Sequence, residues 1–133
     1  MAEAIATSIT KGIDIEISSA GISVYGGMPA SPHSTECMSK MGLSLENHRA
    51  RLVNQADINK ADLVLTMTKA HKSYILQAFS NANRKTFTIN EYAGEENDIS
   101  DPYNLDYNAY DSCAKELHRL LLIISKKWGS GTF

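Results

Sequence analysis

The chain has 133 residues and a formal net charge of −2, which predicts one domain with a substantial core and argues against general binding to nucleic acid or anionic lipid. Its two cysteines, Cys37 and Cys113, are too few for a disulfide framework and indicate a reducing, cytoplasmic setting. No apolar run approaches the length that spans a bilayer, so no membrane partner is expected. The four histidines show no metal-ligand spacing, and no metal or cofactor is expected.

The first two elements are predicted from apolar spacing. Ala2, Ile5, Ala6 and Ile9 recur at helical spacing, and Gly12 stands where a C′ glycine belongs. No Ser, Thr, Asp or Asn precedes this helix to cap its first turn. The segment IDIEIS at 13–18 then alternates isoleucine with acidic residues, a pattern typical of a half-buried strand.

The middle of the chain carries clear start and stop signals. After a Gly-rich loop, Ser31-Pro32 predicts a helix start and Gly42 a helix stop. A short helix is predicted around 55–60. The run DLVLTM at 62–67 is typical of a parallel strand buried on both faces.

The remaining elements alternate in the same way. Thr68 or a neighbour caps a helix from Lys69 to about Phe79, and TFTIN at 86–90 predicts another strand. A polar loop from Glu91 leads to a long amphipathic helix between Tyr107 and Trp128. The alternation of helices and strands predicts an α/β fold: a small parallel sheet with helices on both faces, in three layers. Such folds usually open with a strand, so a strand of about 5–6 residues is expected ahead of Met1.

Four segments together suggest a family. They are SSAG at 18–21, GLSLENHRAR at 42–51, ADLVLTMTKAHK at 61–72 and NEYAG…DISDPY at 90–103. In this order and spacing, the chain resembles the low-molecular-weight protein-tyrosine phosphatases, especially the bacterial branch that includes protein-arginine phosphatases. The resemblance implies that the residues just before Met1 form the first, interior strand and a phosphate-binding loop, C-x5-R-S-P. Residues 1–133 are therefore expected to form a single phosphatase-like domain without that strand and loop.

The resemblance also implies roles for five residues. Asp101 corresponds to the general acid that protonates the leaving group and later activates water. Tyr103 and Tyr25 resemble aromatics that line the mouth of the pocket. Ser19 and His48 match positions that support the phosphate loop. For each residue an ordinary interpretation stays open: Asp-Pro is a common turn starter, the tyrosines fit surface loops, and a single histidine in a loop is often exposed.

Cys113 and Arg119 share the C-x5-R spacing by coincidence. CAKELHR consists of good helix formers whose N–H groups are used in the helix, whereas a phosphate cradle needs glycines and free N–H groups. Cys37 is expected to be a packed or half-exposed helix residue. Arg49 and Arg51 are expected to be solvated surface residues rather than phosphate ligands.

Three functions are consistent with the sequence. The first is a cysteine-dependent phosphoprotein phosphatase, tyrosine or arginine, with a phosphorylated protein as substrate; this chain is expected to be inactive without the nucleophile loop. The second is a non-catalytic binding or regulatory protein on the same fold. An arsenate reductase is disfavoured because no cysteine follows DLVLTM closely, and Thr68 favours the arginine branch. Loss of an interior strand exposes two apolar edges, which predicts strand pairing or swapping with a partner, or low stability.

Overall fold

A computed structural model of the chain describes residues 1–22, 30–45, 48, 51–100, 102 and 105–129. None of the helices in these ranges is long and apolar enough to cross a membrane. The elements are α1 (Ala2–Ile9), α2 (Pro32–Lys40), α3 (Gln55–Lys60), β1 (Val64–Thr66), α4 (Lys69–Ala78), a 3-10 turn (Ser80–Ala82), β2 (Thr86–Thr88), α5 (Ile89–Tyr92) and α6 (Tyr107–Gly129).

The helix signals in the sequence correspond to the observed helix ends. The side chains of Ser31 and Thr68 cap α2 and α4, each accepting a backbone N–H three residues on. Gly42 takes a positive φ of 77° directly after α2, as a glycine stop requires. Helix α1 has Met1 at its N-cap with no side-chain cap, as expected. Gly12 lies one position later than predicted, because α1 has its C-cap at Thr10.

The sheet of the described residues has two parallel strands, joined by α4 as the crossover helix. Thr66 of β1 aligns with Thr88 of β2. The strand predicted over 86–90 ends at Thr88, which corrects that prediction. Thr88 and Glu91 form a reciprocal capping box that starts α5, so the two residues after Thr88 are helical rather than extended.

The strand predicted at 13–18 is absent, and that prediction was wrong. Residues 14–20 belong to no ladder, and the pairing nearby is an isolated parallel bridge between Gly21 and Leu52. The alternation still sorts the side chains correctly: Ile15 and Ile17 pack against the core while Asp14 and Glu16 are exposed. A strand also needs a hydrogen-bonded neighbour, which the described residues do not provide here.

Helices cover both faces of the sheet, as predicted for an α/β fold. Leu63, Leu65 and Phe87 pack against the larger core formed with α1, α2, α5 and α6. Val64 packs on the other side against a smaller cluster from α3 and α4, around Ile58 and Ile75. Val64 and Leu65 are only half-buried, so β1 is less enclosed than predicted. Within the described residues β1 is hydrogen-bonded to β2 alone.

Helix α6 contributes the longest buried face to the larger core. Its buried face continues along the whole helix and contacts α1, α2 and α5. The buried residues of this face are Tyr110, Ala114, Leu117, Leu120, Leu121, Ile124 and Trp128. This is the apolar stripe predicted from the spacing of the sequence.

Candidate active site

A cavity of about 220 Å³ lies where the start of α1 meets the carboxyl end of β1. Ligands of parallel α/β folds bind at the carboxyl ends of the strands. The N-terminus of α1 has no capping side chain, and a helix N-terminus favours anions. The lining comes from α1, the end of β1, α4, the loop before α6, and α6 itself: Met1, Ala2, Met67, His71, Ile99, Ser100, Pro102, Cys113 and Leu117.

Two hydrogen bonds fix the loop before α6 to the turn between β1 and α4. The backbone N–H of Ile99 donates to the carbonyl oxygen of Met67 at 3.0 Å. The Asp98 carboxylate accepts from the backbone N–H of Lys69, also at 3.0 Å. Ile99 is buried in the larger core. The loop is therefore anchored directly beyond the carboxyl end of β1.

Three of the five candidate site residues, Asp101, Tyr103 and Tyr25, lie outside the described residues. Both chain neighbours of Asp101 are described, however, and both Ser100 and Pro102 line the cavity. The roles of Asp101, Tyr103 and Tyr25 remain predictions.

The other two candidates, Ser19 and His48, are described and do not line this cavity. His48 Nδ1 lies 3.7 Å from a carboxylate oxygen of Glu3 in the first turn of α1. It faces a second hollow of about 420 Å³ along the flank of α1, which also contains Ser44. Ser19 is half-buried in the segment without regular secondary structure that leads to Gly21. The structure thus brings His48 to the helix that borders the cavity.

Neither cysteine is built into a phosphate loop. Cys37 is 2% exposed in the core face of α2. Cys113 and Arg119 both lie within α6, where backbone N–H groups are used along the helix. The Arg119 guanidinium binds both carboxylate oxygens of Glu95, at 2.7 and 2.8 Å, and holds the pKa of Glu95 below its ordinary value. Rejection of the C-x5-R coincidence is confirmed.

Arg51 is at the surface, with its side chain 43% exposed, and it also pairs with Asp57. Its Nη1 lies 2.8 Å from both carboxylate oxygens of Asp57, and this hydrogen bonding lowers the pKa of Asp57. The Arg51 carbonyl also accepts from the Gly21 N–H at 2.8 Å. The Arg51–Asp57 pair therefore ties the 51–53 segment to α3, and backbone hydrogen bonds tie it to Gly21. Arg49 lies outside the described residues.

The sequence patterns did not single out Asp98 or His71. Both lie inside segments that carried the resemblance, DISDPY and TKAHK. The usable signal for His71 was its position in the first turn after a strand's carboxyl end. For Asp98 there was no comparable signal, because its partner is a backbone N–H distant in the chain.

The family model for low molecular weight phosphotyrosine protein phosphatases matches residues 1–127. The chain belongs to this family. The protein-arginine-phosphatase of Bacillus subtilis (strain 168) is 33% identical over 130 residues, which cover 96% of this chain and 86% of that protein. The low molecular weight protein-tyrosine-phosphatase PtpB of Staphylococcus epidermidis is 32% identical over 121 residues, 91% of this chain and 84% of PtpB.

Solved structures of phosphatases have the same fold. A mutant of the YwlE arginine phosphatase with a phosphorylated active-site serine superposes with a TM-score of 0.93 at 32% identity, over 96% of this chain and 86% of that one. A low molecular weight protein tyrosine phosphatase from T. tengcongensis gives a TM-score of 0.92 at 36% identity, over 95% and 88% of the two chains. The predicted fold class and family are confirmed.

Proposed function

We propose that this phosphatase-family domain hydrolyses phosphorylated protein side chains, phosphotyrosine or phosphoarginine, with Asp101 as the general acid and base. The observation that carries the proposal is the Ile99–Met67 hydrogen bond, which anchors the loop before α6 beyond the carboxyl end of β1, where Ser100 and Pro102 line the cavity. Similarity to named arginine and tyrosine phosphatases supports both substrates. Thr68, the cap of α4, favours phosphoarginine by the resemblance.

The proposed reaction has two steps. A cysteine thiolate attacks phosphorus, and the bond from phosphorus to the substrate's oxygen or nitrogen breaks while Asp101 donates its proton to that atom. Water then attacks the phosphocysteine, Asp101 takes the proton, and phosphate leaves as the thiolate re-forms. Free N–H groups at the start of α1 stabilise the charge on the phosphoryl oxygens.

The proposal assigns the nucleophile to a C-x5-R-S-P loop joined ahead of α1. Cys37 is buried and Cys113 belongs to a continuous helix, so neither can present a thiolate inside a ring of free N–H groups. Ser19 and His48 would support the loop, and Tyr25 and Tyr103 would line its mouth. Residues 1–133 alone are expected to release no phosphate.

The test compares these 133 residues with a loop-extended chain, defined as the same residues preceded by a strand and a C-x5-R-S-P loop. We expect the loop-extended chain to release phosphate from phosphoarginine or phosphotyrosine proteins. Replacing its loop cysteine by serine should abolish the release. Substrate binding without release by the loop-extended chain would instead favour a non-catalytic binding protein.

We also propose that residues 1–133 alone pair strands with a second copy. Segment 14–20 alternates apolar and acidic residues but pairs with no strand, and in the described residues β1 has one strand neighbour. Unpaired strand edges recruit other strands. Size-exclusion chromatography with light scattering should show a dimer or larger species. A monomer that melts cooperatively would contradict this.

A further inference from the structure

Residues of the kind that soft metal ions prefer as ligands come together at the cavity beyond the carboxyl end of β1. Its lining includes two methionines, Met1 and Met67, together with Cys113 and His71. Met1 precedes α1, Met67 follows β1, His71 lies in the first turn of α4, and Cys113 lies in α6. The spacing of histidines and cysteines along the sequence does not predict this group, because folding assembles it from four parts of the chain.

The backbone positions of these residues are held by hydrogen bonds and by packing. The carbonyl oxygen of Met67 accepts a backbone N–H from the loop before α6 at 3.0 Å. The N–H of His71 donates to the hydroxyl that caps α4 at 3.1 Å. Cys113 is part of the continuous helix α6, and Met1, Met67 and Cys113 pack against the larger core. The thioether side chains have several rotatable bonds, so they can turn toward an ion while the backbone stays in place.

We propose that this cavity binds one soft monovalent cation of the Cu(I) class through Cys113, Met67 and His71. Thiolate and thioether ligands select Cu(I), and imidazole also binds copper. As the ion binds, the Cys113 thiol releases its proton to solvent and the sulfur–metal bond forms, with no transfer of an electron. The inference goes beyond the proposed function and does not depend on it, although a bound ion would occupy the candidate active site.

The chemistry of the lining favours a soft ion over harder ones. Calcium and magnesium bind through several oxygen ligands, and structural zinc takes four ligands from Cys, His and carboxylate side chains. In the part of the chain that the structure describes, no group of three or more His, Cys, Asp or Glu side chains could hold a metal. The other described lining residues supply no carboxylate: Ala2, Ile99, Ser100, Pro102 and Leu117. The methionine thioether therefore completes the ligand set, and it suits Cu(I) better than Zn(II).

The chain contains a second thiol and other methionines that serve as matched controls. Cys37 is 2% exposed and Met38 is fully buried in α2, so neither side chain is open to an ion in solution. Met41 follows α2 and is 39% exposed, and it does not line this cavity. Binding at the proposed site should therefore depend on Cys113 and Met67 and not on these three residues.

The direct test titrates the reduced 133-residue chain with Cu(I) in the absence of oxygen, in competition with the chromophoric chelator bathocuproine disulfonate. We expect one bound ion, and we expect Cys113→Ala and Met67→Leu each to weaken binding by about 10-fold or more. Cys37→Ala and Met41→Leu should bind as the wild type does, and Zn(II) should not displace Cu(I). Absence of binding by the wild-type chain would overturn the proposal. Binding that is unchanged in Met67→Leu would also overturn it, since that result indicates a single reactive thiol.

A second measurement uses the wild-type chain alone and so does not depend on how the variants fold. The methionine methyl groups are labelled with carbon-13, and their NMR signals are followed together with the histidine ring signals as Cu(I) is added. We expect the methyl signal of Met67 and the ring signals of His71 to shift with the first equivalent, and the methyl signals of Met38 and Met41 to stay in place. An unchanged Met67 or His71 signal, or shifts confined to Met38 and Met41, would contradict the site.

Discussion

The backbone N–H of Ile99 donates to the carbonyl oxygen of Met67 at 3.0 Å, joining the loop before α6 to the end of β1. Ile99 is 4% exposed, so its side chain adds a hydrophobic anchor to this hydrogen bond. Ile99, Ser100 and Pro102 line the same cavity as Met1 and Ala2 at the start of α1. Disrupting the packing of Ile99 should therefore affect both stability and catalysis.

Ile99→Ala should lower the free energy of unfolding by about 2–4 kcal/mol, because it removes buried methyl groups and leaves a cavity. Urea denaturation measures the change. Leu105→Ala, at a position 55% exposed on the same connection, is the control and should change it by less than about 0.5 kcal/mol. Equal effects of the two variants would contradict the anchoring role of Ile99.

Asp101→Asn in the loop-extended chain should slow hydrolysis by about 10²–10⁴-fold when the leaving group is basic, as in phenyl phosphate. With an activated leaving group such as 2,4-dinitrophenolate the loss should be far smaller, because little proton donation is needed. Steady-state rates across a series of aryl phosphates measure this dependence. Asp62→Asn is the control, and its rates should depend on the leaving group in the same way as those of the wild type. A loss independent of the leaving group would argue against Asp101 as the acid.

The Arg51–Asp57 pair should make stability depend on pH in the acid range. The folded-state pKa of Asp57 is lowered by the Arg51 hydrogen bond, so its contribution is complete above the unfolded value of about 3.9. The contribution disappears as pH falls through the lowered folded pKa. At pH 7, Asp57→Asn should cost about 0.5–1 kcal/mol, a small value because Arg51 is partly exposed.

Urea denaturation at pH 7 and near pH 3 measures that difference. The gap between wild type and Asp57→Asn should be present at pH 7 and narrower at the lower pH. Asp62→Asn, which removes an exposed carboxylate, controls for net charge. If the difference in unfolding free energy between wild type and Asp57→Asn grows as the pH falls, the predicted direction of the pH dependence is wrong.

Neighbouring leucines in α6 distinguish its two faces. Leu120 is fully buried and Leu122 is 39% exposed. Leu120→Ala should lower the free energy of unfolding by about 3–4 kcal/mol, and Leu122→Ala by much less. Thermal melts of the two variants measure the difference. Similar losses would mean that α6 packs on a different face.

The helices were predictable because their signals are local. Ser31 before Pro32 and Thr68 before Lys69 are capping patterns that lie within a few residues of the helices they start. The absence of a strand at 13–18 was not predictable, since the alternation describes which side chains face the core and not whether a neighbouring strand is present to pair with. The early end of β2 had a readable signal, the capping box of Thr88 and Glu91.

The candidate site also has a part that could be predicted from the sequence and a part that could not. Asp101, Tyr103 and Tyr25 were named from motifs through a family resemblance, and those motifs carry the chemistry but not the geometry. The Ile99–Met67 contact joins two backbone groups, and the Asp98 carboxylate accepts from the backbone N–H of Lys69. Both pairs are far apart in the chain, and a backbone partner leaves no residue-type pattern. The position of His71 beside the loop likewise depends on how α4 packs, which the sequence alone does not specify.

Trapping the covalent intermediate tests the central claim most directly. The loop-extended chain is quenched in acid during turnover of a phosphorylated substrate, and the phosphate is located by peptide mass spectrometry. The account predicts phosphate on the loop cysteine, and none on residues 1–133 assayed alone. Phosphate on Cys113 or Cys37, or hydrolysis by residues 1–133 at a rate matching the loop-extended chain, would contradict it.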